Sequence, residues 1–348
     1  MKKNTEILNL EGEFVNIFNK HPFLIAEISF NYYDLAEKEE MPYFDVAMLL
    51  VEKAKECGVD GINFHVGDSE FLHCNFEEED ITPDDQLTFE DYRKLSQCCK
   101  ELGLVFIVTP ADTEVIDNLD DVVDVYKIPS SDLTNIPFID YISNKAKPII
   151  LSTAASTLNE IKEAVNCIEN NSNFKIALMH SVLSYPTKIE DANLLMIKDL
   201  TQYFEDYNIG YSDYTISDNS MFILTTAYNY GAVILEKYFT LDKSLKDHEF
   251  AMDEDDVRIF KYNVRNISQM NGFKNKQPLI CESFSRKNVR KSIIAKDDIN
   301  SGQKIEESDI EFKRPGIGIP PSQKENVVGK IANKNIKKGS LIEYDMLS

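Results

Sequence analysis

The chain has 348 residues, 43% of them hydrophobic, and a formal net charge of −22. That length exceeds what one compact core usually holds, so two domains are expected. The acidic excess lies in residues 1–287, with 288–348 close to neutral; such a surface repels nucleic acid and anionic membranes but leaves room for a small anion held by a few buried cations.

Six cysteines occur, none in a C-x-x-C pair. This is neither a disulfide framework nor a zinc motif, and it fits reduced thiols in the cytoplasm. The first residues, MKKNTEILNLEGEF, lack an apolar segment of the signal-peptide kind, and no run approaches the roughly 18 apolar residues needed to cross a bilayer. A cytoplasmic protein with no membrane partner is expected.

Eight short, β-branched apolar runs follow one another: 23–29, 60–66, 104–110, 124–130, 148–154, 175–182, 208–214 and 232–240. Each reads as a strand buried on both faces, as parallel strands are. Amphipathic stretches lie between them. Phe44–Cys57 and Phe89–Leu102 come first; a helix opening at Thr157, with Glu160 at capping-box spacing, comes next. Asp191–Phe204, Ser217–Tyr230 and 254–270 complete the set. This alternation predicts an α/β fold, a (β/α)8 TIM barrel. A doubly wound open sheet is the alternative, but no glycine-rich dinucleotide loop follows the first strand.

Polar residues gather at the strand ends: Glu27, His65, Thr109, Lys127, Ser130, Ser152, His180, Ser181, Ser212, Asp213, Lys237 and Thr240. In a barrel those ends share one face, where the chemistry sits. Lys127, flanked by apolar residues, must bind an anion or pair with a carboxylate, because an unpaired buried ammonium costs too much. His65 and His180 are either hydrogen-bonded strand-end residues or, with His73 or Cys74, a metal site. The acidic stretch Glu77–Asp80 reads as a solvated loop.

Polar linker sequence runs through Asn271–Arg290. Beyond it, IAKDDINSGQKIE (294–306) and IANKNIKKGSLIE (331–343) repeat at an offset of 37, with a glycine at a turn in each. The proline- and glycine-rich KRPGIGIPP (313–321) lies between them.

IAEI (25–28), YKIPS (126–130), LSTA (151–154), HSVLSYP (180–186), GYSD (210–213), EKYFT (236–240), DH (247–248) and KRPG (313–316) stand in the order and spacing of motifs of the sialic acid synthase family, which includes pseudaminic and legionaminic acid synthases. The chain resembles that family over nearly its whole length. The resemblance implies a barrel domain over 1–282 and a small antifreeze-like (SAF) domain over 283–348 with a short linker. It implies condensation of phosphoenolpyruvate with an N-acyl hexosamine to a nonulosonic acid, in a homodimer with swapped C-terminal domains. On that resemblance Lys127, Thr109, Ser130, Ser152, Ser181 and Ser212 would hold phosphoenolpyruvate. Glu27 and Asp132 would act near the sugar, Tyr185 and Asp247 would contact it, and Arg314 would be lent by the C-terminal domain.

The chain departs from the family at the mouth. Tyr214 and Tyr238 stand where the family has two metal-binding histidines, and a neutral phenol is a poor ligand. No metal cofactor is therefore expected. A KFQ motif is replaced by Asn63-Phe64-His65, Ser29 and Tyr32 replace other motif residues, and Leu183-Ser184 and Leu245-Lys246 replace an asparagine and a Gly-Pro pair. Three readings follow: a metal-independent synthase in which Tyr214 and Tyr238 donate hydrogen bonds to the aldehyde oxygen, a related carbon–carbon bond enzyme with a rebuilt site, or a non-catalytic protein that binds a sugar acid or a partner. Tyr214 and Tyr238 would in the last case simply pack.

Overall fold

A computed structural model describes residues 6–8, 14–16, 22–29, 31–67, 87–171, 176–246 and 248–348. The sequence readings for Asp247, His73, Cys74 and the acidic stretch 77–80 fall outside them. Two short strands, β1 (Glu6–Leu8) and β2 (Phe14–Asn16), pair antiparallel. Eight parallel strands then follow: β3 (Phe23–Ile28), β4 (Gly61–Val66), β5 (Val105–Pro110), β6 (Val125–Ile128), β7 (Ile149–Ser152), β8 (Ile176–His180), β9 (Asn208–Asp213) and β10 (Ile234–Tyr238). They form a closed barrel in chain order. Closure comes from β10 lying beside β3, with Tyr238 opposite Glu27. The (β/α)8 barrel expected from the eight apolar runs is the fold observed.

Helices α1 (Asn31–Glu39), α2 (Tyr43–Cys57), α3 (Phe89–Leu102), α4 (Thr113–Leu119), α5 (Ile136–Ser143), α6 (Leu158–Asn171), α7 (Leu195–Tyr203), α8 (Phe222–Asn229) and α9 (Glu254–Asn271) lie between or after the strands. The capping box read at Thr157 is present: Glu160 N–H donates to Thr157 Oγ1 at 3.4 Å, and Thr157 N–H to Glu160 Oε2 at 2.7 Å. Helix α8 starts later than the pattern from Ser217 suggests. The Asp218 carboxylate accepts the backbone N–H groups of Ser220 and Phe222 at 2.7 and 3.1 Å, which ties the entry into a turn and caps the helix at Phe222. Helices α4 and α5 have too few turns to show a clear apolar period, and the sequence reading does not contain them. No helix among the described residues is long and apolar enough to cross a membrane.

Side chains alternate across each strand. One set, including Phe23, Ile25, Ile107, Val125, Ile150, Met179 and Ile234, points inward and packs as an apolar plug. The other set, including Leu24, Phe64, Phe106, Leu151 and Leu235, packs outward among the helices. Gly210 sits on the inner face, where a Cβ would lie 2.1 Å from Met179 Sδ and 2.7 Å from the Ile234 carbonyl oxygen, so the plug closes only around a glycine.

The chain divides into two compact units, Met1–Met270 and Asn271–Ser348. The second contains α10 (Ser283–Val289) and an antiparallel pair, β11 (Ser292–Ala295) with β12 (Ile310–Lys313). Its own core holds Ile293, Ile299, Ile305, Val327, Ile336 and Ile342. The 37-residue repeat has a structural meaning here. Ile299 and Ile336, equivalent in the two copies, bridge to each other, and the equivalent glycines Gly302 and Gly339 both take left-handed turns, at φ 86° and 76°.

Candidate active site

Above the apolar plug the inward parity continues with polar residues at the C-terminal strand ends: Glu27 on β3, Asn63 and His65 on β4, Thr109 on β5, Lys127 on β6, Ser152 on β7, Ser212 on β9 and Glu236 on β10, with Ser181 just past β8. All but His65 are buried. Lys127, 2% exposed, sits between two carboxylates: its Nζ is 2.5 Å from Glu236 Oε2 and 3.6 Å from Glu27 Oε2. Glu236 collects further donors, from Ser212 Oγ at 2.6 Å and Asn63 Nδ2 at 3.1 Å, and Thr109 Oγ1 donates to Asn63 Oδ1 at 2.9 Å. His65 Nε2 lies 2.8 Å from Glu27 Oε1. Yet neither Glu27 oxygen has a donor in hydrogen-bonding alignment among the described residues.

The charges explain one another. Burial pulls the Lys127 ammonium down, but Glu236 and then Glu27 more than offset this, and its pKa is raised. Burial lifts Glu27, while Lys127 and His65 outweigh it and hold the carboxyl below its ordinary range. Glu236 is raised by burial, with Lys127 opposing and the Glu27 charge adding to the lift. An ammonium is tolerated inside the barrel because two carboxylates surround it.

Aromatic rings line the rim. Tyr185 meets Tyr214 edge-on at 4.7 Å between ring centroids, Tyr214 lies 5.8 Å from Tyr238, and Tyr238 meets Phe250 at 5.3 Å. Burial first, then the Glu27 charge, pushes the Tyr214 and Tyr238 phenols well above their ordinary pKa. Both are therefore neutral hydroxyls at physiological pH, able to donate hydrogen bonds.

The residues at the mouth do not fit the metal that the resemblance implies. Two neutral phenols occupy the histidine positions, and the carboxylates already share an ammonium. No group of three His, Cys, Asp or Glu side chains suited to a cation occurs among the described residues.

The structure brings Glu27, Lys127, Thr109, Ser212, Tyr214, Tyr238 and Tyr185 together, with Ser152 and Ser181 on the same inward layer. Ser130 and Asp132 lie on the turn after β6, half-buried, where Asp132 Oδ1 accepts from Asn135 Nδ2 at 2.8 Å. Arg314 is exposed, at the end of β12 in the second unit. Three strand-end residues expected at the mouth, His180, Asp213 and Lys237, face outward instead, because each has the opposite parity. His180 Nε2 lies 3.0 Å from the Ala192 carbonyl oxygen, so it cannot share a ligand with His65. Lys237 pairs with Asp213 at 2.9 Å behind the barrel wall. Thr240, in phase with Glu236 and Tyr238 but beyond the end of β10, also leaves the mouth, with Oγ1 2.7 Å from His248 Nδ1. The sequence reading missed Glu236 and Asn63. The signal was available for Glu236, which is two residues before Tyr238 and so shares its face.

Comparison with known proteins identifies the family and the fold. The NeuB family matches residues 50–276, and a SAF domain matches residues 290–348. An N,N'-diacetyllegionaminic acid synthase of Legionella pneumophila is 30% identical, over 93% of this chain and 94% of its own. The human N-acetylneuraminate-9-phosphate synthase is 28% identical over 94% and 93%. Among solved structures, a spore coat polysaccharide biosynthesis protein E of Chromobacterium violaceum, 22% identical, shares the fold with a TM-score of 0.76, covering 94% of this chain and 99% of its own. The chain thus belongs to the NeuB family, that of the sialic acid synthases, and ends in a SAF domain.

Proposed function

We propose that this protein condenses phosphoenolpyruvate with an N-acylated amino sugar to form a nonulosonic acid, and that it does so without the two-histidine metal site. The observation that carries the reading is the inward layer of Glu27, Lys127, Ser152, Ser181 and Ser212 at the C-terminal strand ends, with the neutral hydroxyls of Tyr214 and Tyr238 close to its charges. C3 of phosphoenolpyruvate attacks the sugar aldehyde, water adds at C2, and phosphate leaves. Tyr214 and Tyr238 donate to the aldehyde oxygen as it gains charge; a positioned donor of this kind is worth about 3–4 kcal/mol of barrier. Serine and threonine hydroxyls and strand-end N–H groups bind the phosphate, with Lys127 supplying local positive charge. In keeping with the family, the SAF domain would lend Arg314 to the sugar in a swapped homodimer, and Asp132, Tyr185, Ser130 and Asp247 would complete the substrate contacts.

One observation favours a second reading. Lys127 is already engaged by Glu236 and Glu27, and a mouth in which that pairing never loosens would bind a neutral sugar derivative without turning it over. Phosphate release with phosphoenolpyruvate and a panel of N-acyl hexosamines, with and without EDTA, separates the two. Turnover that persists in EDTA supports the metal-independent synthase. Turnover abolished by EDTA refutes the metal-free claim. Silence across the panel, with no phosphoenolpyruvate binding by calorimetry, refutes the synthase.

A further inference from the structure

We infer that His65 and Glu27 form a proton-carrying dyad, in which His65 Nδ1 is the catalytic acid and base of the condensation. This rests on the synthase reading above and assigns the proton transfers within it. His65 lies near the end of β4 with its side chain 31% exposed, while Glu27 beside it on β3 is fully buried. The contact runs through Nε2, 2.8 Å from Glu27 Oε1. A ring whose Nε2 faces a carboxylate has Nδ1 left for a substrate, and the carboxylate selects the tautomer that can donate to it.

The surroundings suit that role. Thr109 lies opposite His65 on β5 and is uncharged. Among the described residues, the charged groups near the pair are Lys127, 3.6 Å beyond Glu27, and Glu236 behind Lys127. Tyr238, opposite Glu27 on β10, is held neutral by its surroundings. Among the described residues neither Glu27 oxygen is in hydrogen-bonding alignment with a donor, so a fully buried carboxylate keeps acceptor capacity. A small rotation of His65 on substrate entry would complete that bond.

The proton account closes. As the C3 enol carbon of phosphoenolpyruvate bonds to the aldehyde carbon, the carbonyl oxygen takes the Nδ1 proton of the His65 imidazolium and becomes a hydroxyl. Water captures the cationic C2 and gives its first proton to the now neutral Nδ1, restoring the imidazolium. The second water proton passes to the phosphate as the C2–O bond breaks and the ketone forms. His65 ends as it began, and the aldehyde oxygen is protonated with no metal called on.

The test uses the whole protein and three variants. His65→Gln places at this position the amide of the family's KFQ motif, which can still form hydrogen bonds but neither gains nor gives up a proton near neutral pH. It is expected to lose about 10²–10⁴-fold in kcat with little change in KM for phosphoenolpyruvate. His65→Ala should regain part of its activity on addition of imidazole, whereas His65→Gln should not. A His65→Gln protein within threefold of wild type overturns the proposal. Independently of turnover, nitrogen NMR of the histidine rings under mildly alkaline conditions should show His65 as the Nε2–H tautomer, giving way to a mixture in Glu27→Gln. The same tautomer populations in both proteins overturn the dyad. A wild-type protein silent with every sugar sinks the condensation and the shuttle with it, whereas a wild-type protein that turns over while His65→Gln does too sinks the shuttle alone.

Discussion

Lys127→Met isolates the electrostatics on which the barrel interior depends. The substitution keeps an unbranched side chain one atom shorter and removes the ammonium between Glu236, 2.5 Å away, and Glu27, 3.6 Å away. Both carboxylates are fully buried, so neither can turn to water for compensation. Breaking a buried pair from one side costs on the order of 3–5 kcal/mol, against a total stability of about 5–15 kcal/mol. The variant should therefore fold but melt roughly 6–20 °C lower than wild type. The cost should depend on pH in a defined sense. Glu236 is raised in the folded protein already, with Lys127 opposing that rise, and removing the ammonium lifts both carboxyls. A carboxyl whose folded pKa exceeds its unfolded value destabilises the fold above that range and stops doing so as pH falls through it. The deficit of Lys127→Met relative to wild type should shrink as pH drops from neutral into the carboxylate range. Wild type should behave oppositely at Glu27, whose folded pKa is depressed: that contribution is present above the unfolded value and is lost as pH falls through the folded one. Adding Glu236→Gln should recover a large part of the loss at neutral pH. Urea denaturation at several pH values reads all of this. A Lys127→Met protein as stable as wild type, with the same pH profile, would show that the ammonium does not compensate the carboxylates.

Other outcomes follow from the same geometry. Tyr214→Phe and Tyr238→Phe keep the ring contacts and delete only the hydroxyls, so each should lower phosphate release by about 10²–10³-fold while thermal melts stay close to wild type. Tyr214→His combined with Tyr238→His puts two imidazoles on adjacent strand ends whose ring centroids are now 5.8 Å apart; calorimetry with manganese chloride should detect binding in this variant and none in wild type. Equal binding by both would contradict the donor-set argument. Gly210→Ala drives a methyl against the Ile234 carbonyl oxygen and Met179, and should cost about 1–3 kcal/mol in urea denaturation.

Much of the fold was legible because its signals are local. Eight β-branched runs separated by amphipathic stretches specify parallel strands with crossover helices, and Thr157 with Glu160 marks a helix start within four residues. The repeat near the C-terminus was equally readable, since Ile299 and Ile336 occupy equivalent positions before they are seen to bridge. What the sequence hid was set by parity and by partners far apart in the chain. Asp213 and Lys237 look like mouth residues by position, yet each is one residue out of phase with the inward face and pairs outside it. Lys127 and Glu236 are 109 residues apart, and only barrel closure makes them neighbours. The choice between an anion-binding and a structurally paired Lys127 therefore could not be made before the strands were placed.

The departures at the mouth are coherent once those partners are known. Asn63 stands where the family motif has a lysine, and its amide does two things a random replacement would not: it donates to Glu236 and accepts from Thr109. Without it, Glu236 would lose a donor in a place water does not reach, at a cost of about 1–3 kcal/mol. Tyr214 and Tyr238 likewise join Tyr185 and Phe250 in a continuous set of ring contacts. These three substitutions thus have their polar or apolar demands met within the layer. Glu27 and His65 differ: among the described residues neither oxygen of this fully buried carboxylate has an aligned donor, and His65 Nε2 beside it has no aligned acceptor. Buried polar groups are rarely left so without a reason. The unmet hydrogen bonds mark Glu27 as the point where the site expects something to arrive, and ligand entry should be sensed first there and at His65.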